Sequence, residues 1–286
     1  MKTIPLVANH FRSDGGAMFG LVPKALWSRI CPCDADNLIA QRTNVLLIEH
    51  PDAGWGLLDT GCGSPEAFSS KERTLHGLDD HWPLANALRE QGPGFEEIRW
   101  IVLTHAHWDH GGGLFLPDGS PAFPHADIYL LQTELDLATG GDPLLYKSYP
   151  ATLSAGLKRL RRQLKPVARP GMEILPGIHL ESAAGHTAGQ ACVRVERPRL
   201  PGLTDPPPAA LLFTGDNCPT RHHLRMVFQT AYDTLPLETR AWKQKWFPLC
   251  AREKIPLFFS HDADTFGAWI QPDPQREFVT TRLYPS

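Results

Sequence analysis

Three histidines and an aspartate crowd into six consecutive positions of this chain, His105-Ala-His107-Trp-Asp109-His110. Imidazole nitrogens and carboxylate oxygens bind zinc, and they also suit iron, manganese or cobalt. Side chains two positions apart on an extended backbone point to the same side, so His105 and His107 can face one point. Asp109 and His110 lie in the glycine-rich turn that follows and can face a second point nearby. The spacing therefore predicts two adjacent metal sites.

Three more residues that can bind a metal stand beside apolar segments further along the chain. His186 lies in a loop of small residues. Asp216 follows the apolar run Ala210–Phe213, and His261 follows the apolar run Pro256–Ser260. Each of the three is expected at the tip of a buried strand, where it can join the cluster at 105–110.

Short apolar runs predict the strands that must position these residues, and amphipathic runs predict helices between them. The predicted strands are Val45–Ile48, Gly56–Leu58, Trp100–Leu103, Ile128–Leu131, Ala191–Val195, Ala210–Phe213 and Pro256–Ser260. The predicted helices are Leu84–Gln91, Ser154–Leu164 and Leu237–Ala251. Helices that separate strands indicate an α/β protein. The proline-rich stretch Pro198–Pro208 is predicted to be a surface loop inside one domain.

Composition narrows the class of partner. The chain has 286 residues and a net charge of −3, so no basic field favours nucleic acid. The first residues lack a long apolar segment, and no stretch is apolar enough to span a membrane. A cytoplasmic location is the resulting expectation. The six cysteines are expected to be free thiols, because disulfides are rare in that compartment.

The order and context of the seven residues resemble the metallo-β-lactamase superfamily. The resemblance implies a four-layer αββα sandwich that forms a single domain over residues 1–286. It also implies a centre with two divalent metal ions, zinc first and iron, manganese or cobalt as alternatives. The implied first site is His105, His107 and His186; the implied second site is Asp109, His110 and His261; and Asp216 bridges the two. Asp59, in Leu57–Gly61, is similar to a family residue that orients a ligand histidine, and a simple turn aspartate is the alternative.

Hydrolysis is the chemistry that such a centre performs. Two divalent cations about 3.5–4 Å apart can share a hydroxide, which attacks a carbonyl or phosphoryl group while the second ion neutralises developing charge. Asp109 or Asp216 could then give a proton to the leaving oxygen. No Gly-x-Ser-x-Gly motif indicates a serine nucleophile instead.

Two segments, Asp14–Trp27 and Thr214–Lys243, are similar to the quorum-quenching lactonases and methyl-parathion-hydrolase-like enzymes of that superfamily. In homoserine lactonases a tyrosine three positions after the bridging aspartate helps to bind the lactone carbonyl. Pro219 stands at that position here. His223 is the candidate for a catalytic and pocket-lining replacement, and a buried loop histidine is the alternative.

Apolar side chains near the start of the chain could form the wall of a substrate pocket. Met18, Phe19 and Trp27 lie within an N-terminal segment, residues 1–40, that is expected to line it, and Trp108 projects from between the metal ligands. Ligand sites combine apolar walls with few polar groups, and these walls would suit a fatty acyl tail or an aromatic ring. Plain core packing is the alternative for Phe19 and Trp27.

Three functions remain open from the sequence. The first is hydrolysis of a lactone such as an N-acyl-homoserine lactone by a metal-bound hydroxide. The second is hydrolysis of an aryl ester or an organophosphate triester at the same centre. The third is a non-catalytic or nucleic-acid-processing role, which the intact ligand set and the lack of basic charge disfavour. The expected partner is a small-molecule substrate, with no nucleic acid and no membrane, and the resemblance implies a homodimer.

Overall fold

Two β-sheets pack face to face, and helices cover the outer face of each. The structure is a computed structural model that describes residues 1–202 and 207–285. Its strands are β1 Lys2–Asp14, β2 Leu38–His50, β3 Gly54–Leu58, β4 Ile98–Val102, β5 Asp127–Leu131, β6 Leu164–Val167, β7 Met172–Leu175, β8 Ile178–Ser182, β9 Ala191–Glu196, β10 Ala210–Phe213, β11 Leu257–Phe258, β12 Thr265–Asp273 and β13 Glu277–Pro285.

The helices are α1 Gly15–Phe19, α2 Lys24–Trp27, α3 Ser70–His76, α4 Pro83–Gln91, α5 Trp108–Gly111, α6 Gln132–Gly140, α7 Ala151–Arg159 and α8 Pro236–Glu253. Short 3₁₀ turns lie at Pro65–Ala67, Phe95–Glu97, Gly112–Leu114, Gly215–Asn217 and Arg221–Leu224. None of the helices in the described ranges has both the length and the apolar character that a membrane crossing needs.

The first sheet has the strand order β1-β2-β3-β4-β5-β6 and the second the order β13-β12-β11-β10-β9-β8-β7. Strands β3 to β6 run parallel to one another, and so do β10 and β11. Because the carboxyl ends of parallel strands meet at the same edge of a sheet, the loops that follow them form a natural place for a site.

Alternating side chains on each strand fill two different cores, which explains why the strands read as continuous apolar runs. On β2, Leu46 and Ile48 face the second sheet, whereas Val45 and Leu47 face the helices. Strand β10 repeats the pattern, since its Leu211 points between the sheets and the next residue points to α8. The layers are therefore helix, sheet, sheet and helix, and the expected αββα sandwich is confirmed.

One interpretation of the sequence needs correction. The helix predicted over Ser154–Leu164 ends at Arg159, because the chain turns at 160–163 and Leu164 already begins β6. In the N-terminal segment 1–40, residues 2–14 form β1, which pairs with β2, and the short helices α1 and α2 follow it. The predicted loop Pro198–Pro208 lies partly outside the described residues, and its described ends are Pro198–Gly202 and Pro207–Pro208.

Candidate metal centre

The potential ligands follow the carboxyl ends of strands from both sheets. His105 comes three residues after the end of β4, and His186 comes four residues after the end of β8, a strand that the sequence did not reveal. Asp216 and His261 each come three residues after the ends of β10 and β11. These ends lie at one edge of the sandwich, so residues far apart in sequence meet in one place.

The first group of ligand atoms comes from His105, His107 and His186, whose ligand atoms all lie within 4.8 Å of one another. His186 Nε2 is 3.0 Å from His107 Nδ1. All three side chains are buried. Burial comes first among the causes that hold the pKa of His105 and of His107 well below the ordinary value, so both imidazoles are neutral and able to bind a metal.

The second group comes from Asp109, His110 and His261, whose ligand atoms also lie within 4.8 Å of one another. His110 Nε2 is 3.1 Å from His261 Nε2, and Asp109 Oδ2 is 3.6 Å from the latter atom. Asp109 and His110 are presented by the single turn of α5. The 3₁₀ turn that follows α5 fits closely against the loop after β3, because a Cβ on Gly113 would lie 2.2 Å from the Thr60 carbonyl oxygen.

Asp216 lies between the two groups and reaches both. Its Oδ1 is 3.3 Å from His110 Nε2 and 3.2 Å from His261 Nε2, whereas its Oδ2 is 3.5 Å from His186 Nε2. Burial opposes the charged form of Asp216, but the surrounding histidines outweigh it and hold the pKa of this carboxyl well below the ordinary value. An ionised carboxylate with one oxygen toward each group is the arrangement of a bridging ligand.

The hydrogen atoms available to this cluster indicate that it is built for cations. His261 Nδ1 must donate to the Arg42 carbonyl oxygen at 2.8 Å, and His110 Nδ1 faces the Asp59 carboxylate at 2.8 Å. Burial disfavours the charged rings, but the Asp216 carboxylate outweighs it and raises the pKa of both His110 and His261. Without metal, the two Nε2 atoms approach within 3.1 Å of each other, and a metal ion would replace the protons that they carry. His105 Nε2 is also buried and has no hydrogen-bond partner among the described residues. Divalent cations would satisfy all these atoms, so the residues fit a metal centre.

Asp59 connects the start of the loop after β3 to Thr104 and to the proposed ligand His110. Its carboxylate accepts hydrogen bonds from the Thr104 backbone N–H at 2.7 Å and the Thr104 hydroxyl at 2.8 Å, and it faces His110 Nδ1. The backbone of Asp59 has a φ of +58°, a left-handed conformation that is strained for a residue other than glycine. The geometry agrees with the expectation that this residue orients a ligand histidine.

Asp233, which the sequence did not single out, contacts the ligand His186 as Asp59 contacts His110. Asp233 Oδ1 is 3.0 Å from His186 Nδ1 and also accepts a hydrogen bond from the Thr230 hydroxyl. Its second oxygen accepts from the Thr239 hydroxyl at 3.0 Å. Carboxylates of this kind fix the tautomer and orientation of a ligand histidine. No strand ends at Asp233, so the pattern that revealed the other residues was absent.

Tyr232 is the second residue that the sequence did not reveal. Its ring lies edge-on to the His186 ring with 5.3 Å between the centroids, and its hydroxyl contacts Met18 Sδ at 3.2 Å. Desolvation is the first cause that raises the pKa of Tyr232 well above its ordinary value, and the negative charges of Asp216 and Asp109 add to it. The phenol is therefore a protonated hydrogen-bond donor close to the two carboxylates, and the residue as a whole is 42% exposed.

His223, the residue expected to replace the missing tyrosine, is not among the clustered ligands. The ring is fully buried, Nε2 donates to the Met18 carbonyl oxygen at 3.0 Å, and Nδ1 accepts from the Thr220 hydroxyl at 2.8 Å. Burial, followed by the charge of Lys243, lowers the pKa of His223 to about 3. Both nitrogens are occupied within the protein, so this geometry agrees with the alternative of a buried loop histidine.

The other expected pocket residues occupy two different surroundings. Phe19 stacks between Trp27 and His223, with centroid distances of 5.3 and 5.1 Å, and all three side chains are buried. The positions of Phe19 and Trp27 therefore agree with the alternative of plain core packing. Trp108 is only partly buried and borders a cavity of about 580 Å³, whose other apolar walls include Phe68, Phe115, Leu116 and Leu153.

Comparison with known proteins agrees with this geometry. The model of the metallo-beta-lactamase superfamily matches residues 39–199, more than half of the chain. The matched part contains five of the clustered residues and Asp59. The chain therefore belongs to the metallo-beta-lactamase superfamily, and it is a hydrolase of that superfamily.

Several lactonases are among the similar proteins. An N-acyl homoserine lactonase, AiiB of Agrobacterium fabrum, is 24% identical over 261 residues, which is 84% of this chain and 86% of that protein. Among solved structures, a probable metal-dependent hydrolase from Staphylococcus aureus is 24% identical with a TM-score of 0.87, covering 100% of this chain and 96% of its own. The dizinc quorum-quenching lactonase AidC, bound to a product, is 20% identical with a TM-score of 0.76, covering 99% and 93%. These two structural likenesses establish the shared fold alone.

Proposed function

We propose that this protein is a dinuclear metal-dependent hydrolase that opens the ring of a lactone such as an N-acyl-homoserine lactone. The observation that carries the proposal is the position of Asp216, which extends one carboxylate oxygen to His110 and His261 and the other to His186. The proposed first site is His105, His107 and His186, and the proposed second site is Asp109, His110 and His261. The AiiB relative, named an N-acyl homoserine lactonase, supports the choice of substrate.

Zinc is the proposed metal at both sites. Imidazole and carboxylate donors suit zinc, and the similar structure AidC is described as dizinc. When bound, a pair of divalent cations lowers the pKa of water and neutralises the negative charge that develops on a carbonyl oxygen. A cytoplasmic location, a homodimer and a quorum-quenching role remain predictions from the sequence.

Asp109 is the proposed proton carrier. Its side chain is 15% exposed, against 3% for Asp216, so a substrate reaches Asp109 more easily. The low pKa of Asp216 also favours its ionised form, which suits a bridging ligand better than an acid. Asp109 would take a proton from the attacking water and return it to the alkoxide oxygen that leaves when the ring opens.

Tyr232 is the proposed donor to the substrate carbonyl oxygen. The phenol reaches the cluster from the loop before α8, and its raised pKa keeps the proton on the hydroxyl oxygen. Its contact with Met18 Sδ is weak, because a thioether is a poor acceptor. A carbonyl oxygen carrying developing negative charge is a stronger acceptor, so the hydroxyl would turn to it.

The cavity beside Trp108 is the proposed place for the acyl tail. It lies next to the ligand-bearing turn, its volume is about 580 Å³, and its walls are largely apolar. Burying apolar surface contributes about 0.8 kcal/mol per methylene group, so a longer acyl chain would bind more tightly.

The substrate assignment can be tested by assaying one zinc-loaded preparation with N-hexanoyl-homoserine lactone, phenyl acetate and a paraoxon-type triester. We expect kcat/KM for the lactone to exceed that for the other two by more than about tenfold, because binding energy from the acyl tail adds to that of the reacting group. If the aryl ester or the triester turns over while lactones do not, the substrate assignment is wrong and the metal centre stands.

Tyr232→Phe provides the matched variant for this assay, since it removes only the hydroxyl. We expect lactone kcat to fall by about tenfold or more, as for the loss of one donor to a developing oxyanion. Thr281→Val is the control. It removes an exposed hydroxyl that donates to the Trp269 carbonyl on the neighbouring strand of the second sheet, and it should leave kcat unchanged. Equal kcat for wild type and Tyr232→Phe would remove the tyrosine from the mechanism.

A further inference from the structure

A buried carboxylate outside the ligand cluster connects the two loops that carry the first ligand group. Glu134 lies in the first turn of α6 and is fully buried. Its Oε1 accepts hydrogen bonds from the Ala106 backbone N–H at 2.9 Å and the Tyr149 hydroxyl at 2.7 Å, and its Oε2 accepts from the Thr187 hydroxyl at 2.6 Å. Among the described residues these three neutral donors are its hydrogen-bond partners, and none of them is a cation.

The three donors to Glu134 lie in or beside the loops that carry His105, His107 and His186. Ala106 stands between the ligands His105 and His107, and Thr187 follows the ligand His186. The ring of Tyr149 also lies edge-on to the His107 ring, with 4.8 Å between the centroids. One rigid, planar group therefore contacts both loops that supply this group of imidazoles, and it fixes the separation between them.

Close packing of the backbone reinforces the same connection. A Cβ on Gly189, three residues after His186, would lie 2.2 Å from the Glu134 backbone nitrogen. The start of α6 therefore rests directly against the loop that carries His186. A buried carboxylate whose hydrogen-bond partners are all neutral is expensive unless those bonds are needed, so an ordinary core position would hold an apolar residue here.

We propose that Glu134 is a positioning residue that holds His105, His107 and His186 at the separation that a metal ion requires. The proposal rests on the proposed function, because it assumes that these three histidines bind the metal. Partners of this kind act by orienting ligands, and their loss typically weakens metal affinity by about 10–100-fold.

The test is a zinc titration of metal-stripped protein in competition with a chelating indicator, with no substrate present. Glu134→Ala leaves the Ala106 N–H without its partner and frees both loops, so we expect zinc affinity to fall by about tenfold or more. In Glu134→Gln the amide oxygen can still accept from Ala106 and Tyr149, and the amide nitrogen can donate to Thr187. That variant should bind zinc nearly as the wild type does.

Two further variants separate positioning from general stability. Leu88→Ala creates a cavity in α4, away from the ligand loops, and should lower the melting temperature without changing zinc affinity. Thr187→Val removes one of the three contacts and should weaken zinc binding in the same direction, even if Glu134→Ala does not fold. The spectrum of bound Co²⁺ should change in Glu134→Ala and not in Leu88→Ala.

Equal zinc affinity in wild type, Glu134→Ala and Thr187→Val would overturn the proposal, and so would a Glu134→Gln variant as weak as Glu134→Ala. A different result would contradict the proposed function. Wild type that binds zinc tightly but leaves every lactone intact would refute the substrate and leave the role of Glu134 standing.

Discussion

Replacing Asp216 by alanine is expected to reduce lactone hydrolysis by more than about a hundredfold, beyond the typical loss for an outer partner of a metal ligand. The reason is geometric, since Asp216 is the one side chain in the cluster that approaches His110, His186 and His261 together. Without it, neither proposed site keeps its full ligand set, and positive charge at the centre loses a buried counter-charge. The measurement is kcat/KM together with the zinc content of each purified protein.

The control for this variant is Asp264→Asn. Asp264 lies near the same edge and is paired with Arg221, but its side chain is exposed and it does not point into the cluster. This substitution should leave both activity and zinc content within about twofold, as for surface changes. Asp216→Ala that hydrolyses lactone at the rate of wild type would contradict the bridging role, provided that circular dichroism shows both variants folded.

Removing metal from the wild type should lower its melting temperature by roughly 5–10 °C. A ligand that binds only the folded state at about 100 times its Kd stabilises it by about 2.7 kcal/mol, and each kcal/mol shifts the melting temperature of a domain of this size by about 2–4 °C. The stripped protein should lose further stability, because no cation then holds the Nε2 atoms of His110 and His261, which lie 3.1 Å apart. Differential scanning fluorimetry with and without a chelator measures the shift.

Restoration by added zinc distinguishes loss of metal from damage by the chelator. His261→Asn offers the matched variant, since it removes one proposed imidazole ligand. Its melting temperature should respond to zinc less than that of the wild type. A wild type whose melting temperature is the same with and without chelator would show that the cluster contributes no metal-dependent stability.

The ligand cluster could be predicted from the sequence because most of its members stand in recognisable local patterns. His105, Asp216 and His261 each follow an apolar strand, and such strand ends gather at one edge of a layered fold. His186 follows β8, whose pattern of half-buried residues was too weak to identify as a strand. The apolar runs predicted an α/β protein, and the family resemblance added the four layers. Strands β1, β12 and β13 carry mixed side chains that gave no clear signal.

The residues that support the cluster could not be predicted, because their contacts are set by packing between distant segments. Asp233, Tyr232 and Glu134 lie on a loop and at a helix start, where no periodicity marks them. For His223 the sequence left two interpretations open, a catalytic residue and a buried loop histidine. The resemblance of the segment 219–223 to one branch of the family favoured the first, whereas the hydrogen bonds of both ring nitrogens to Thr220 and Met18 agree with the second.

Anomalous diffraction at the zinc absorption edge, from crystals grown with zinc, tests the central claim most directly. The account predicts two peaks about 3.5–4 Å apart. One should lie among His105, His107 and His186 and the other among Asp109, His110 and His261, with Asp216 touching both. A single peak, or peaks away from these side chains, would contradict the account.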